Sequence, residues 1–423
     1  MDFSNFGQKF THDTGVIQLM DDLGQYVGQP GVKMLGGGNP SRIPVIETYF
    51  RDQMARLLDS EDRFENLISR YDGPEGHAPF IDALVDFFQR HYGWEITADN
   101  IALTNGSQTS FFYLFNMFAG EHQDGSQKKI LLPLTPEYIG YEDAGINGDI
   151  FVSYKPEIEF LDNRLFKYHV DFNQLQIDEK IGAICVSRPT NPTGNVLDSH
   201  EITQLSQLAQ EHNIPLIIDN AYGLPFPNII FSDEQPTWEP HIVLCMSLSK
   251  LGLPGARTGI IIAHETIART LSNMNAVVSL SPGGFGGALA ADAIRTDDVL
   301  RLSNEIVRPH YQAKVNQTIS WLHEELAGLD YFIHKPEGAI FVWIWFRGLP
   351  ITSQELYDRL KEKQVLVIPG QHFFPGLPAD DPEIWPHRYE CIRVSYAGEA
   401  AVVHEGIKII AAEARQAYAT NTE

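Results

Sequence analysis

Long apolar runs are missing from these 423 residues, and so are a surplus of basic residues, paired cysteines and histidine ligand motifs. No run approaches the ~18 apolar residues that a membrane helix needs, so a spanning chain is not expected. Lysine and arginine number 31 against 55 acidic residues, a net charge of −24. That imbalance disfavours binding to nucleic acid or anionic membranes, both of which need basic patches. Small anions are not excluded, because local arginines outweigh a distant field. The three cysteines, Cys185, Cys245 and Cys391, each lie in an apolar strand-like stretch, and none has C-x-x-C spacing. An odd, sparse set of this kind reads as reduced thiols in a cytoplasmic protein. The opening residues MDFSNFGQKF lack the basic and apolar regions of a signal peptide. None of the fifteen histidines belongs to an H-E-x-x-H pair, and His323-Glu324-Glu325 lacks its second histidine, so no metal site is expected.

What is present is ordinary globular composition, 43 % hydrophobic and 20 % charged, in a chain long enough for two or three domain-sized units. The most informative stretch runs from Ile242 to Ala263. An apolar run, Ile242 to Met246, reads as a buried strand. Ser247 and Ser249 follow, then Lys250, a Pro254-Gly255 turn, Arg257, Gly259 and a second apolar run from Ile260. A lysine in a tight loop between two buried strands is desolvated, which favours the neutral amine that attacks carbonyls. Two serines and an arginine are anion ligands, and the arginine fork suits a phosphate. A Schiff-base lysine beside a phosphate site points to pyridoxal phosphate.

Strand and helix patterns alternate from about 100 to 265, which argues for a parallel sheet with crossover helices. Ile101 to Thr104 reads as a strand, and Asn105-Gly106-Ser107-Gln108 opens an apolar helix. A glycine turn at a helix N-terminus leaves backbone N–H groups free to cradle phosphate, although a plain N-cap serine also accounts for Ser107. Ile214 to Ile218 is a strand that delivers Asp219 at its C-terminal end, where ligands bind in α/β sheets. Pro44 to Ser69 and 300 to 328 read as helical. Residues 145 to 180 read as a peripheral strand and connecting region with little chemical signal, and Pro369 to Pro386 reads as a Pro- and Gly-rich loop containing Asp380 and Asp381. Arg393, inside the apolar strand Tyr389 to Tyr396, is expensive to bury without an anionic partner.

The string S-x-S-K-x-x-x-P-G-x-R-x-G from Ser247 to Gly259 resembles the cofactor-lysine segment of the class I/II, fold-type I aminotransferases. Pro189-Thr190-Asn191-Pro192-Thr193-Gly194 is similar to that family's P-x-N-P-T-G signature, and the similarity runs nearly end to end. It implies an α/β fold with a mostly parallel central sheet, helices on both faces and a smaller α+β domain. The implied division is an N-terminal segment 1–45 at the site entrance, a large domain 46–310 that binds pyridoxal 5'-phosphate, and a small domain 311–423. Amino acids and 2-oxo acids are the implied substrates.

The resemblance also implies residue roles. Lys250 carries the cofactor and moves protons. Asp219 pairs with the ring nitrogen, while Tyr222 and Asn191 donate to the phenolic oxygen. Tyr138 stacks on the ring. Gly106, Ser107, Gln108, Ser247, Ser249 and Arg257 hold the phosphate. Arg393 grips the substrate carboxylate, with Asn191 and Asn39 beside it. Tyr71, in Tyr71-Asp72-Gly73-Pro74-Glu75-Gly76, reaches the phosphate of a neighbouring subunit, which makes the site a property of a homodimer. Arg188 departs from the commoner form of its loop and has no role assigned. A lyase acting at Cβ or Cγ shares the fold and lysine, whereas a DNA-binding regulator would need a basic extension that this chain lacks.

Overall fold

The computed structural model describes residues 2–11, 17, 24, 26, 29, 31–378 and 385–419. Its centre is an eight-stranded sheet. The strand order is Ile101–Thr104, Gly259–Ile262, Ile242–Ser247, Leu216–Asp219, Ile181–Ser187 and Gln127–Leu132, with Phe151–Ser153 and Gly120–Glu121 both pairing with the last. Gly259–Ile262 and Gly120–Glu121 pair antiparallel and the other pairs are parallel, so the sheet is mixed but mostly parallel. Its central strands are buried along their whole length, which is why they read as continuous apolar runs rather than alternating ones.

Helices cover the sheet because their apolar stripes have nowhere else to go. In Ala78–Tyr92 the buried residues Phe80, Ile81, Leu84, Phe87 and Phe88 fall at helical spacing. Pro79 opens that helix and Gly93, left-handed at φ 65°, closes it. Gly287 in the neighbouring helix Phe285–Arg295 leaves room for Phe80; a Cβ there would sit 3.2 Å from that side chain.

The second sheet has six strands, in the order Ile368–Pro369, Cys391–Ser395, Phe341–Phe346, Tyr331–His334, Leu165–His169 and Glu157–Leu161. The last two form a hairpin from within the span expected to belong wholly to the large domain, and Leu165–His169 pairs parallel with Tyr331–His334. A two-strand pairing, Lys33–Met34 with Val365–Leu366, ties the N-terminal segment to this part of the chain.

Two expected helices are interrupted. The stretch 44–69 forms Pro44–Asp59 and Arg63–Ser69, separated where Asp62 takes a left-handed φ of 60°. The long helix near 300 contains a π-turn over Leu302–Val307 before Arg308–Glu325. Pro309 has no N–H to offer the preceding turn, and that local loss of pairing accounts for the widening. Of the loop 369–386, residues 379–384, including Asp380 and Asp381, lie outside the described residues. No helix among the described residues is long and apolar enough to cross a membrane.

Candidate active site

The C-terminal ends of the parallel strands gather the expected residues. Lys250 follows strand Ile242–Ser247 in a short turn, Ser249–Leu251, which Gly252 ends at φ 114°. A Cβ on Gly252 would lie 2.7 Å from Ile46, so glycine is needed there for both conformation and space. The Lys250 amine donates to the Gly38 carbonyl at 2.5 Å and lies 5.2 Å from the Tyr222 ring centre. Burial lowers its pKa to about 8, with Arg393 and Arg257 pushing the same way and Asp219 opposing them.

Asp219, at the end of its strand, accepts the Tyr141 hydroxyl at 2.7 Å and the Ala221 N–H at 3.1 Å. Burial raises its pKa to about 6, and those two bonds and Lys250 limit the rise. The group is therefore mainly ionised at neutral pH. Tyr222 is buried close by, and desolvation pushes its hydroxyl well above the ordinary tyrosine range.

At the other end of the lysine turn, helix Ser107–Phe118 begins with Gly106 as its N-cap and no side chain capping it. Ser107 is thus the first helical residue rather than the cap. Gly106 has φ 88°, and a Cβ on it would lie 2.1 Å from an Arg257 guanidinium nitrogen. The missing side chain lets Arg257 lie against the open helix start. Arg257 reaches the Ser249 hydroxyl at 3.4 Å, and Ser249 is bonded to Ser247 at 3.0 Å. No carboxylate among the described residues pairs with Arg257. Free N–H groups, two hydroxyls and an unpaired guanidinium make a phosphate-shaped donor set. The Gln108 side chain is turned elsewhere, donating to the Gly140 carbonyl at 2.7 Å.

Arg393 is 3 % exposed. It donates to Asn191 Oδ1 at 2.7 Å and to the Gly36 carbonyl at 2.6 Å, and its Nε has no partner. The Phe341 and Phe373 rings lie against its guanidinium, 4.0 and 5.3 Å from it. Burial lowers its pKa to about 10, which leaves it charged. A buried arginine facing two neutral carbonyls and no carboxylate is a site awaiting an anion.

Tyr138 lies close enough to Arg393, Asp219 and Arg257 for each to act on its hydroxyl, and its ring packs edge-on against Tyr141. Asn39 is exposed, and the structure does not bring its side chain to Lys250 or Arg393; the carbonyls of Gly38 and Gly36 are there instead. Tyr71 stands in solvent, 82 % exposed. Arg188 is a brace, bonded to Glu234 at 2.5 Å and to the Leu197 carbonyl at 2.7 Å. Sequence reasoning passed over Tyr141 and the two glycine carbonyls. Tyr141 sits three residues after Tyr138, a spacing that the string Y-I-G-Y displayed; backbone carbonyls leave no such trace.

These features, a desolvated lysine, an acid at a strand end, an open helix start and a buried arginine, coincide with a family match. The model for aminotransferase class I and II covers residues 56–410, and the chain belongs to that family of pyridoxal-phosphate enzymes. The chain is 52 % identical, over 99 % of both chains, to the valine–pyruvate aminotransferase of Escherichia coli (strain K12). It is 49 % identical to the crystal structure of valine–pyruvate aminotransferase from Salmonella typhimurium LT2, with a TM-score of 0.87 over 95 % of this chain and 99 % of that one. An aspartate aminotransferase from Thermus thermophilus, 19 % identical with a TM-score of 0.78, shares the fold across 98 % of this chain and 100 % of its own.

Proposed function

We propose that this chain moves the amino group of L-valine to pyruvate, giving 3-methyl-2-oxobutanoate and L-alanine. The observation that carries the chemistry is the pair of cations, Lys250 and Arg393, neither of which pairs with a carboxylate among the described residues. The two relatives that bear the valine–pyruvate name support the choice of substrates. The cavity beside Lys250, about 160 Å³, is lined by Pro40, Ile43, Ile46, Leu251 and Tyr311 among others. Arg42 and Glu47 on its wall pair with each other at 2.6 Å, which leaves no free cation among its described lining residues besides the reactive Lys250 and favours a neutral side chain.

Pyridoxal phosphate, when bound, supplies a carbonyl that takes up an amino group and a ring that accepts electrons. Ser247, Ser249, Arg257 and the N–H groups of Ser107 and Gln108 would hold its phosphate, the Gly106 N–H being bonded to the Thr104 carbonyl. Asp219, ionised at neutral pH, would pair with the ring nitrogen, and Tyr138 would cover the ring. Tyr222 and the Asn191 amide donate to the phenolic oxygen. Arg393 turns its fork from Gly36 to the substrate carboxylate, fixing the Cα–H bond within reach of Lys250. Lys250 Nζ, which loses its own proton readily, accepts the Cα proton as the general base.

The enzyme acts as a homodimer in which Tyr71 of the partner subunit completes the phosphate site. Exposed Ile68, Tyr71, Val277, Val278, Leu280 and Phe285 support this, because they lie on two segments that meet where Gly284 adjoins Asp72. Chain segments 1–45, 46–310 and 311–423 serve as site entrance, cofactor domain and small domain, except that hairpin Glu157–His169 joins the sheet of the last. Three buried, unpaired cysteines suit a cytoplasmic setting. Supplying L-valine and pyruvate and measuring alanine tests the reaction. Alanine formed in step with the oxo acid is expected; ammonia without alanine would replace transfer by elimination.

A further inference from the structure

A second carboxyl lies beside Asp219, and no step above uses it. Glu137 follows strand Gln127–Leu132 and is 0 % exposed. Its Oε1 accepts the Ser187 N–H at 2.9 Å, its Oε2 contacts the Ser187 hydroxyl, and its own N–H donates to the Phe373 carbonyl at 2.8 Å. No lysine or arginine among the described residues pairs with it. The titratable groups around it are Asp219, Tyr141 and Cys185.

Ser187 and Asp219 are register partners on adjacent parallel strands, so their side chains share a face of the sheet. Ser187 also acts on the Tyr141 hydroxyl, which donates to Asp219. Glu137, Ser187, Tyr141 and Asp219 therefore form a continuous buried series. Two carboxylates in one dry pocket repel, and the one that lacks a cation, Glu137, keeps its proton, while Lys250 favours the charge on Asp219. Donor counting agrees. If Glu137 O–H donates to Ser187 Oγ, the serine hydroxyl is free to donate to Tyr141, and Tyr141 to Asp219. If Glu137 were ionised, the serine hydroxyl would turn back toward it and Tyr141 would lose that donor.

We propose that Glu137 is a positioning residue carried as a neutral acid, whose bonds through Ser187 and Tyr141 aim at Asp219 and leave Asp219 the one negative charge facing the ring nitrogen. Burial first, and Asp219 to a smaller extent, raise its pKa to about 8 against the downward pull of the two Ser187 hydrogen bonds. This rests on the reading that Asp219 faces the cofactor, but the state of Glu137 is measurable without the cofactor.

The test is infrared spectroscopy of the full-length cofactor-free protein across pH. The expected result is a carboxylic-acid C=O band at about pH 7 that is absent from Glu137→Gln and fades with a midpoint near pH 8. In Asp219→Asn that midpoint falls, because the repelling charge is gone. In ¹³C-glutamate-labelled protein of unaltered sequence the band shifts, which serves if Glu137→Gln does not fold. Absence of the band at about pH 7, or a midpoint indifferent to Asp219→Asn, overturns the proposal. As a second readout, Glu137→Ala should bind pyridoxal phosphate at least ~10-fold more weakly and Glu137→Gln should restore most of that affinity. Equal losses in the two variants also overturn it. If the band behaves as expected while Asp219→Asn binds cofactor normally, the fault lies in the cofactor reading and not in the state of Glu137.

Discussion

Lys250 and Asp219 are tuned in opposite directions, and each shift has a measurable signature. Competitive acylation of the cofactor-free protein should show the Lys250 amine half-reactive near pH 8. Lys250→Ala should abolish turnover and the coloured bound cofactor; a variant that still cycles would remove the lysine from its role. Asp219 binds its proton more tightly folded than unfolded, so its contribution to stability is fully present below 3.8 and is lost as pH rises through about 6. Asp219→Asn should therefore stabilise the cofactor-free protein more at pH 7 than at pH 4, as thermal midpoints at the two values will show. Arg393→Leu should cost ~2–5 kcal/mol in kcat/KM for the amino acid, much of it from leaving the substrate carboxylate unpaired. Lys250, Arg257 and Arg393 were legible in the sequence because a charge inside an apolar strand or tight loop needs a reason. Tyr141 and Glu137 were not, since a tyrosine or a glutamate after a strand usually needs none; only the contact with Asp219 or Ser187 gives them one.

The elements around the site depend on what Gly106 leaves out. Gly106→Ala would drive a methyl group into the Arg257 guanidinium and force alanine to φ 88°. Cofactor affinity measured by fluorescence should fall, and stability should drop by ~1–3 kcal/mol. Gly182→Ala is the control: its Cβ would lie 1.8 Å from the carbonyl of Phe118, at the opposite end of helix Ser107–Phe118 from the phosphate cradle. That variant should lose stability by a similar amount while the protein that does fold keeps its cofactor. Fully buried strands such as Ile181–Ser187 and Ile242–Ser247 were legible as apolar runs, and their ends located the site. The π-turn at Leu302–Val307 was not, because helical periodicity tolerates one widened turn. Nor was the hairpin Glu157–His169, whose mixed burial gives no clean alternation and whose partner strand is more than 150 residues away.

At the scale of the whole molecule, the proposed homodimer would cover the exposed aromatic and aliphatic side chains near Tyr71. Mixing Lys250→Ala with Tyr71→Phe parents under conditions of subunit exchange should return activity that neither parent has in full, since one site of each hybrid is intact. Activity that only averages the parents would place Tyr71 outside the site. The same hairpin has a consequence for anyone dividing the chain. Strand Tyr331–His334 leans on Leu165–His169, with the Arg164 and Phe166 carbonyls taking the Ile333 and Lys335 N–H groups. A fragment cut at residue 310 would leave that edge bare, and bare edges aggregate. Expressed separately, 311–423 should be insoluble, and co-expression of 1–310 should rescue it, because the missing piece of its architecture is encoded upstream of the cut.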